Sequence, residues 1–414
     1  MRNTLFTCLV FLALGCQGQS LESGVKITVP NGFQVNTLAT SLGRTRHLAV
    51  HPNGDIYLKL ERLVNGKGIL RLRDKNKDGV VDDTLAFGNY IGTGIAIKGN
   101  WLYASSNNSV FRYALTAAGE LVQTDQPQCI VKDLRDERQH ASKSIALDNA
   151  GNLYVNIGAP SNVCQEKDRQ KGSVGQTPCP ILENAGGIWQ FKADQPNQTY
   201  AQGKRYVTGV RNCVGLDWNN AENALYITVH GRDGLYQDFP ELYDRQRGAE
   251  LPSETFYRVK EGDNCGWPYV HWDHFQNKYI LNPEFGGDGK KSGVPEATKP
   301  LVGFPGHMAP NALLIYSGQQ FPAKYQNGAF IAFHGSWNRA PENQEGFYVA
   351  FVPLKNGQPA GPWEIFANGF SGMEKVTNLG SAKYRPCGLA MGPDGSLYVS
   401  DDNKGAVWKI SFKP

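Results

Sequence analysis

The chain has 414 residues, 40% hydrophobic, 11% aromatic and 19% charged, with a formal net charge of +4 from 42 Lys and Arg against 38 Asp and Glu. That aromatic content excludes a disordered chain, because disorder goes with too little apolar surface to offset the entropy of ordering. No basic tract stands out, so the charge carries no nucleic-acid signature, and the 47 Gly and 23 Pro follow no collagen period.

The first 20 residues, MRNTLFTCLVFLALGCQGQS, read as an export signal. Arg2 supplies a short positive region, and residues 5–14 form an apolar core too short for the roughly 20 residues that span a bilayer. The core ends in Ala13-Leu14-Gly15-Cys16, similar to a bacterial lipobox with Ala13 where Leu is usual. The expectation is a signal peptide over 1–15, a lipidated Cys16 at the head of a tether over 16–24, and one folded unit over 25–414. An ordinary signal cleaved near Gln19 is the alternative. No later segment is apolar for 18 residues, so contact with a membrane would run through the lipid on Cys16. Export to the periplasmic side places the chain in an oxidising compartment.

From there the chain repeats one unit: a short apolar strand, a polar turn with Gly or Asn, and an aromatic-rich strand. Six copies are legible. HLAVHPNGDIYLKL starts at His47 and is preceded by the strand-like 26–40, which could close a ring with the last copy. After it, Asp74, Asn76 and Asp78 alternate before Gly79, resembling half of a Ca²⁺ loop, with Leu85 where the usual twelfth-position Glu would stand. A polar hairpin turn accounts for the same residues. The second copy runs from Gly94, and the third, SIALDNAGNLYVNIG, from Ser144. Between the third and fourth copies, Cys164 and Cys179 bracket one polar loop and are the best disulfide pair. Of the eight Cys, Cys8 and Cys16 fall in the signal region, and the other six allow 15 pairings. The fourth copy starts at Gly215 and is followed by the aromatic GWPYVHWDHF from Gly266, either a sugar-stacking surface or the packing of a long loop. The fifth and sixth start at Ala312 and Gly388.

Alternation over four to six positions marks half-buried strands, and the turns NGD, NAGN and PDGS are hairpin chemistry. Equivalent residues Leu48, Ile95, Ile145, Leu216, Leu313 and Leu389 are separated by 47, 50, 71, 97 and 76. Four-stranded propeller blades repeat at about 40–50 residues. The spacing therefore predicts an all-β, six-bladed β-propeller of four-stranded antiparallel blades, with insertions in the later blades. A β-sandwich pair is the alternative.

In a propeller, equivalent ends of different copies meet at the axis. His140 precedes Ile145 by five residues, Arg211 and Asn212 precede Gly215, Lys383 and Arg385 precede Gly388, and Arg46 precedes the first copy. His230-Gly231-Arg232 and the run from His334 to Arg339 follow the fourth and fifth copies. A ring of cations invites a polyanion, since Arg binds carboxylates bidentately, and a His among them is a candidate base.

The phrases QHASKSIALDNAGNLYVNIGAPSNVC, GVRNCVGLDW, GDNCGWPY, FHGSWNR and KYRPCGLAMGPDGSLYVSDD occur in this order. Through them the chain resembles, from about residue 25 to 412, the soluble pyrroloquinoline-quinone (PQQ)-dependent sugar dehydrogenases of the glucose/sorbosone dehydrogenase group, nearer the sorbosone-dehydrogenase-like branch. That resemblance implies a six-bladed propeller, PQQ and Ca²⁺ as cofactors, and a sugar substrate. It implies His140 as catalytic base and Arg211 with Asn212 against the quinone oxygen. It implies backbone carbonyls of Gly231 and Arg232 on Ca²⁺, and Lys383 and Arg385 on the cofactor carboxylates. Arg339 would be a further cationic contact, Arg232 falls within the same cofactor-binding set, and Arg46 would be a polar contact. Gln139 stands where the glucose enzymes have an acid and Ala159 replaces another acid, which argues against glucose itself.

The expected function is oxidation of an aldose or sugar aldehyde, with electrons passing to a cytochrome or quinone. The alternatives are a non-catalytic propeller binding module and a propeller lactonase with Ca²⁺ held by side chains.

Overall fold

The computed structural model describes residues 21, 23–137 and 139–413. The expected signal peptide and the lipid attachment at Cys16 lie outside the described residues. Six antiparallel sheets follow one another around a ring, each starting with its innermost strand. The first is Thr45–Val50, Ile56–Val64, Lys67–Arg73 and Asp83–Phe87. The second is Ile95–Lys98, Trp101–Ser105, Val110–Ala114 and Gln128–Val131. The third is Ile145–Leu147, Asn152–Ile157, Gly187–Lys192 and Lys204–Thr208, extended by the parallel pair Asp263–Asn264. The fourth is Leu216–Asn219, Ala224–Val229, Glu254–Val259 and Val302–Phe304. The fifth is Pro310–Tyr316, Gly328–Phe333, Tyr348–Lys355 and Glu364–Ala367.

The sixth blade closes the ring. Its strands Pro386–Met391, Leu397–Asp401 and Val407–Phe412 take their outermost partner from the start of the fold, where Phe33–Ala39 runs antiparallel to Val407–Phe412. Phe33 fixes that strand by packing edge-on against Phe321 and Phe366 at 4.8 and 5.0 Å. The structure is thus the six-bladed β-propeller that the repeat spacing predicts, and all six marker residues lie in innermost strands. The first-to-second-strand turns use glycine where left-handed backbone is required, as at Gly54 (φ 97°) and Gly395 (φ 81°). Apolar clusters sit between neighbouring blades, such as Phe330, Phe351, Phe366, Leu389 and Trp408 between the fifth and sixth.

The long fourth interval is an insertion. It carries two short helices, Leu235–Asp238 and Arg245–Glu250, and a hairpin of Val270–Asp273 with Lys278–Leu281. Of the aromatics from Gly266, Trp267 and Trp272 are buried in this insertion, whereas Phe275 is 54% exposed. Trp267 is buried against Cys164 and Cys179, and its indole N–H donates to the Asn162 carbonyl at 3.0 Å. The disulfide is Cys164–Cys179, as its bracketed loop suggests. The other four of the six do not pair: Cys129, Cys213, Cys265 and Cys387 are free thiols, and all but Cys129 are buried.

The Asp74–Asp78 loop joins the third and fourth strands of the first blade, and lies on the face opposite Arg46. Its side-chain oxygens are engaged by its own backbone: Asp78 N–H donates to Asp74 (3.2 Å) and Asn76 (3.1 Å), Gly79 N–H to Asp74 (2.8 Å), and Val80 N–H to Asp78 (2.8 Å). This is turn chemistry.

Candidate active site

Innermost strands start, and second strands end, on one face of the ring. His140 lies in the loop leading to Ile145–Leu147, with left-handed backbone (φ 54°). Its Nδ1 is 2.5 Å from the Ala159 carbonyl. A carbonyl only accepts, so the neutral ring carries its proton on Nδ1 and leaves the Nε2 lone pair free. Burial, together with the neighbouring Arg211 guanidinium, lowers the imidazole pKa to about 3. The ring is therefore unprotonated at neutral pH, with its Nε2 lone pair able to accept a proton.

Gly158 lets the neighbours close in. A Cβ there would stand 2.6 Å from His140 Cβ and 3.3 Å from Asn212 Oδ1. That Asn212 oxygen is buried without a hydrogen-bond partner. Arg211 is held rigidly: Nε and Nη2 donate to the carbonyl and side-chain oxygens of Asn162 (3.1 and 3.0 Å), Nη1 to the Gly231 carbonyl (2.8 Å), and Nη2 to Asp233 (2.8 Å). Asp233 also receives Asn338 Nδ2 at 2.8 Å and Arg169 Nη2 at 2.9 Å. Burial opposes its charge, but Arg211, His307 and Arg169 hold its carboxyl well below the usual range.

A second group stands beside the first, with His230 between them, close enough to feel both Arg211 and His334. Here Asp402 accepts from Arg46 Nη1 (3.0 Å) and faces His334 Nε2 (2.6 Å). Arg385 donates to the carbonyls of His334 (3.1 Å) and Gly335 (2.8 Å). Arg46 Nη2 and Arg385 Nη1 have no partner among these contacts. His334, Cys387 and Asp402 have metal-ligand spacing, but Arg46 on the same carboxylate and Arg385 beside it make a poor setting for a divalent cation.

Six of the expected residues, Arg46, His140, Arg211, Asn212, Gly231 and Arg385, are thus brought to one face. Three depart from expectation as free cations. Arg232 turns its side chain, 1% exposed, into the insertion, where Nη1 meets both oxygens of Glu284 at 2.6 Å. Arg339, 3% exposed, donates to the carbonyls of Ala249 and Gly306 and to Glu250 at 2.6 Å. Lys383 is exposed and donates to the Gly24 carbonyl at 3.0 Å. The insertion and the first described residues supply these partners, and nothing local to each Arg or Lys announces them.

Asp233, Asp402 and Glu254 escape the sequence reading. Buried Glu254 accepts from Gly231 N–H (3.0 Å) and Ala309 N–H (3.2 Å), tying the fourth blade to the fifth, and burial pushes its carboxyl up to about 8. Trp337 is 60% exposed beside Asn338.

The TrAA12-like family signature matches residues 27–413. The chain belongs to that family. The structures similar to this TrAA12-like chain include a Carbohydrate-Active Enzymes Family AA12 protein of Trichoderma reesei, with TM-score 0.75 and 18% identity over 95% of this chain and 99% of that one. The PQQ domain of pyranose dehydrogenase from Coprinopsis cinerea, in its holo form, gives TM-score 0.68 and 21% identity over 94% and 97%. By sequence, the PQQ-dependent pyranose dehydrogenase of Coprinopsis cinerea is 25% identical over 280 residues, 58% of this chain and 36% of that protein. An uncharacterised protein of Borreliella burgdorferi is 24% identical over 98% of this TrAA12-like chain and 96% of its own length.

Proposed function

We propose that this protein is a PQQ-dependent sugar dehydrogenase that oxidises an aldose or related pyranose at a CH–OH carbon. The observation that carries the proposal is a neutral, Nδ1-anchored His140 beside the fixed Arg211 and the unpartnered Asn212 amide. Family membership and the activity of the fungal relative support it. The residues suit the cofactor: Asn212 Nδ2 makes no hydrogen bond among the described residues and can donate to a quinone oxygen, and Arg46 and Arg385 keep N–H groups for carboxylates. When bound, the quinone supplies two-electron oxidising power. His140 Nε2 takes the proton of the substrate hydroxyl as the hydride leaves the same carbon. Arg211, its position set by Asn162 and Asp233, offsets negative charge developing on the acceptor oxygen.

Calcium fits less readily. Arg211 already caps the Gly231 carbonyl, and its guanidinium would repel a cation there. The proposed chemistry therefore contains no step through Ca²⁺. Export with a lipid on Cys16, and a cytochrome or quinone as electron acceptor, belong to the same proposal.

The test is absorbance. Protein beginning after Cys16 is mixed with PQQ, then with a panel of aldoses. A stoichiometric complex that a sugar reduces is the expected result. Folded protein that binds no quinone would overturn the reading and favour a binding module.

A further inference from the structure

The loop over residues 159–186 does more than fill the third blade. Cys164–Cys179 pins it, and the bridge of Gln165 to Gly175 folds its tip back on itself. The tip then reaches His140's neighbour. Asp168 accepts from Ser161 Oγ (2.6 Å), Asn162 N–H (2.8 Å) and Gln139 Nε2 (2.7 Å). Arg169 donates from Nε to Gln139 Oε1 at 3.0 Å and from Nη2 to Asp233 at 2.9 Å. Its backbone is left-handed (φ 57°), and its N–H is held by Gln165 Oε1 at 3.0 Å. A non-glycine residue persists in that region when its surroundings determine it, and such residues cluster at ligand clamps.

Exposure separates Arg169 from the other arginines of the site. Its side chain is 39% exposed, against 5% for Arg211. Its Nη1 makes no hydrogen bond among the described residues. It therefore spans from Gln139, next to the candidate base, to Asp233, next to the fixed Arg211, with donors turned to solvent. The charges of Arg169 and Arg211 are balanced by Asp168 and Asp233, so this rim offers hydrogen bonds without net charge. That suits a neutral, hydroxyl-rich molecule better than an acidic one.

We propose that Arg169 is the specificity-determining residue of the site, donating to hydroxyls of a neutral sugar and carried into place by the disulfide-pinned loop. This rests on the dehydrogenase reading above. Hydrogen bonds from a charged donor are worth enough that their loss changes affinity by about 10-fold or more.

The test compares wild type, Arg169→Ala and Arg169→Lys, each loaded with PQQ and titrated with the best neutral aldose and with its uronic acid. For Arg169→Ala the expected result is a KM for the neutral sugar raised about 10-fold or more, exceeding any fall in kcat, with partial recovery in Arg169→Lys. A KM equal to that of wild type, or a loss confined to kcat, would overturn the proposal and leave Arg169 as a loop latch. A wild type that prefers the uronic acid would overturn the neutral class. A wild type that binds PQQ but is reduced by no sugar would remove the dehydrogenase reading itself, and this inference with it.

Discussion

Replacing His140 with alanine lowers sugar-dependent turnover by about 100-fold or more, while the quinone still binds. Stopped-flow reduction of the bound cofactor measures the first, and absorbance of the complex the second. Wild-type turnover in the variant would remove His140 from the chemistry. The pH dependence is a second check. With its pKa lowered to about 3, the imidazole stays unprotonated through the ordinary assay range, so the rate shows no fall centred near the usual 6.5. An acid limb at 6.5 would mean that the base is another group. The same shift has a stability sign. A His held neutral in the fold contributes stability above its unfolded value of 6.5 and loses it as pH falls toward its folded value. His230, lowered to about 3, and His334, lowered to about 4, act in the same direction, so acid lowers the stability of the fold.

The second large effect is on stability. Glu284→Ala costs about 3–5 kcal/mol, because it strands the charge of Arg232 in a buried setting. Neither side chain of this pair is more than 1% exposed, and Arg232 Nη2 already lacks a partner. Urea unfolding checks it, with Glu284→Gln losing less because it keeps the shape and one acceptor. An unchanged midpoint for the alanine variant would mean that Arg232 finds Asp238, now 3.6 Å away, at no cost. Arg232 lies between Gly231 and Asp233, so this pair also anchors the turn that presents Asp233 to Arg211.

What the sequence discloses follows from how local each feature is. The blades are legible because a hairpin is written in adjacent residues, and Leu48 to Leu389 mark six inner strands. The disulfide is legible because one loop holds both cysteines. His140, Arg211 and Asn212 are legible because each precedes an inner strand. Asp402 and Asp233 are not, because each gains its role from partners on other blades. The side-chain partners of Arg232 and Arg339 stay hidden for the same reason: Glu284 and Glu250 come from an insertion whose fold no periodicity betrays. The Asp74–Asp78 spacing satisfies a cation or a turn equally, because both use the same side-chain oxygens.

The closing strand Phe33–Ala39 has a bearing on biosynthesis. Among the described strands it is the first to be synthesised, yet its partner Val407–Phe412 is the last. The ring therefore cannot shut while the chain is growing, and contacts so distant in sequence form slowly. Until they form, both strands present unpaired edges of the kind that invite pairing between chains. A propeller whose last blade is still open therefore carries exposed strand edges, and a chaperone or an export channel that holds these two strands apart would also hold the ring open.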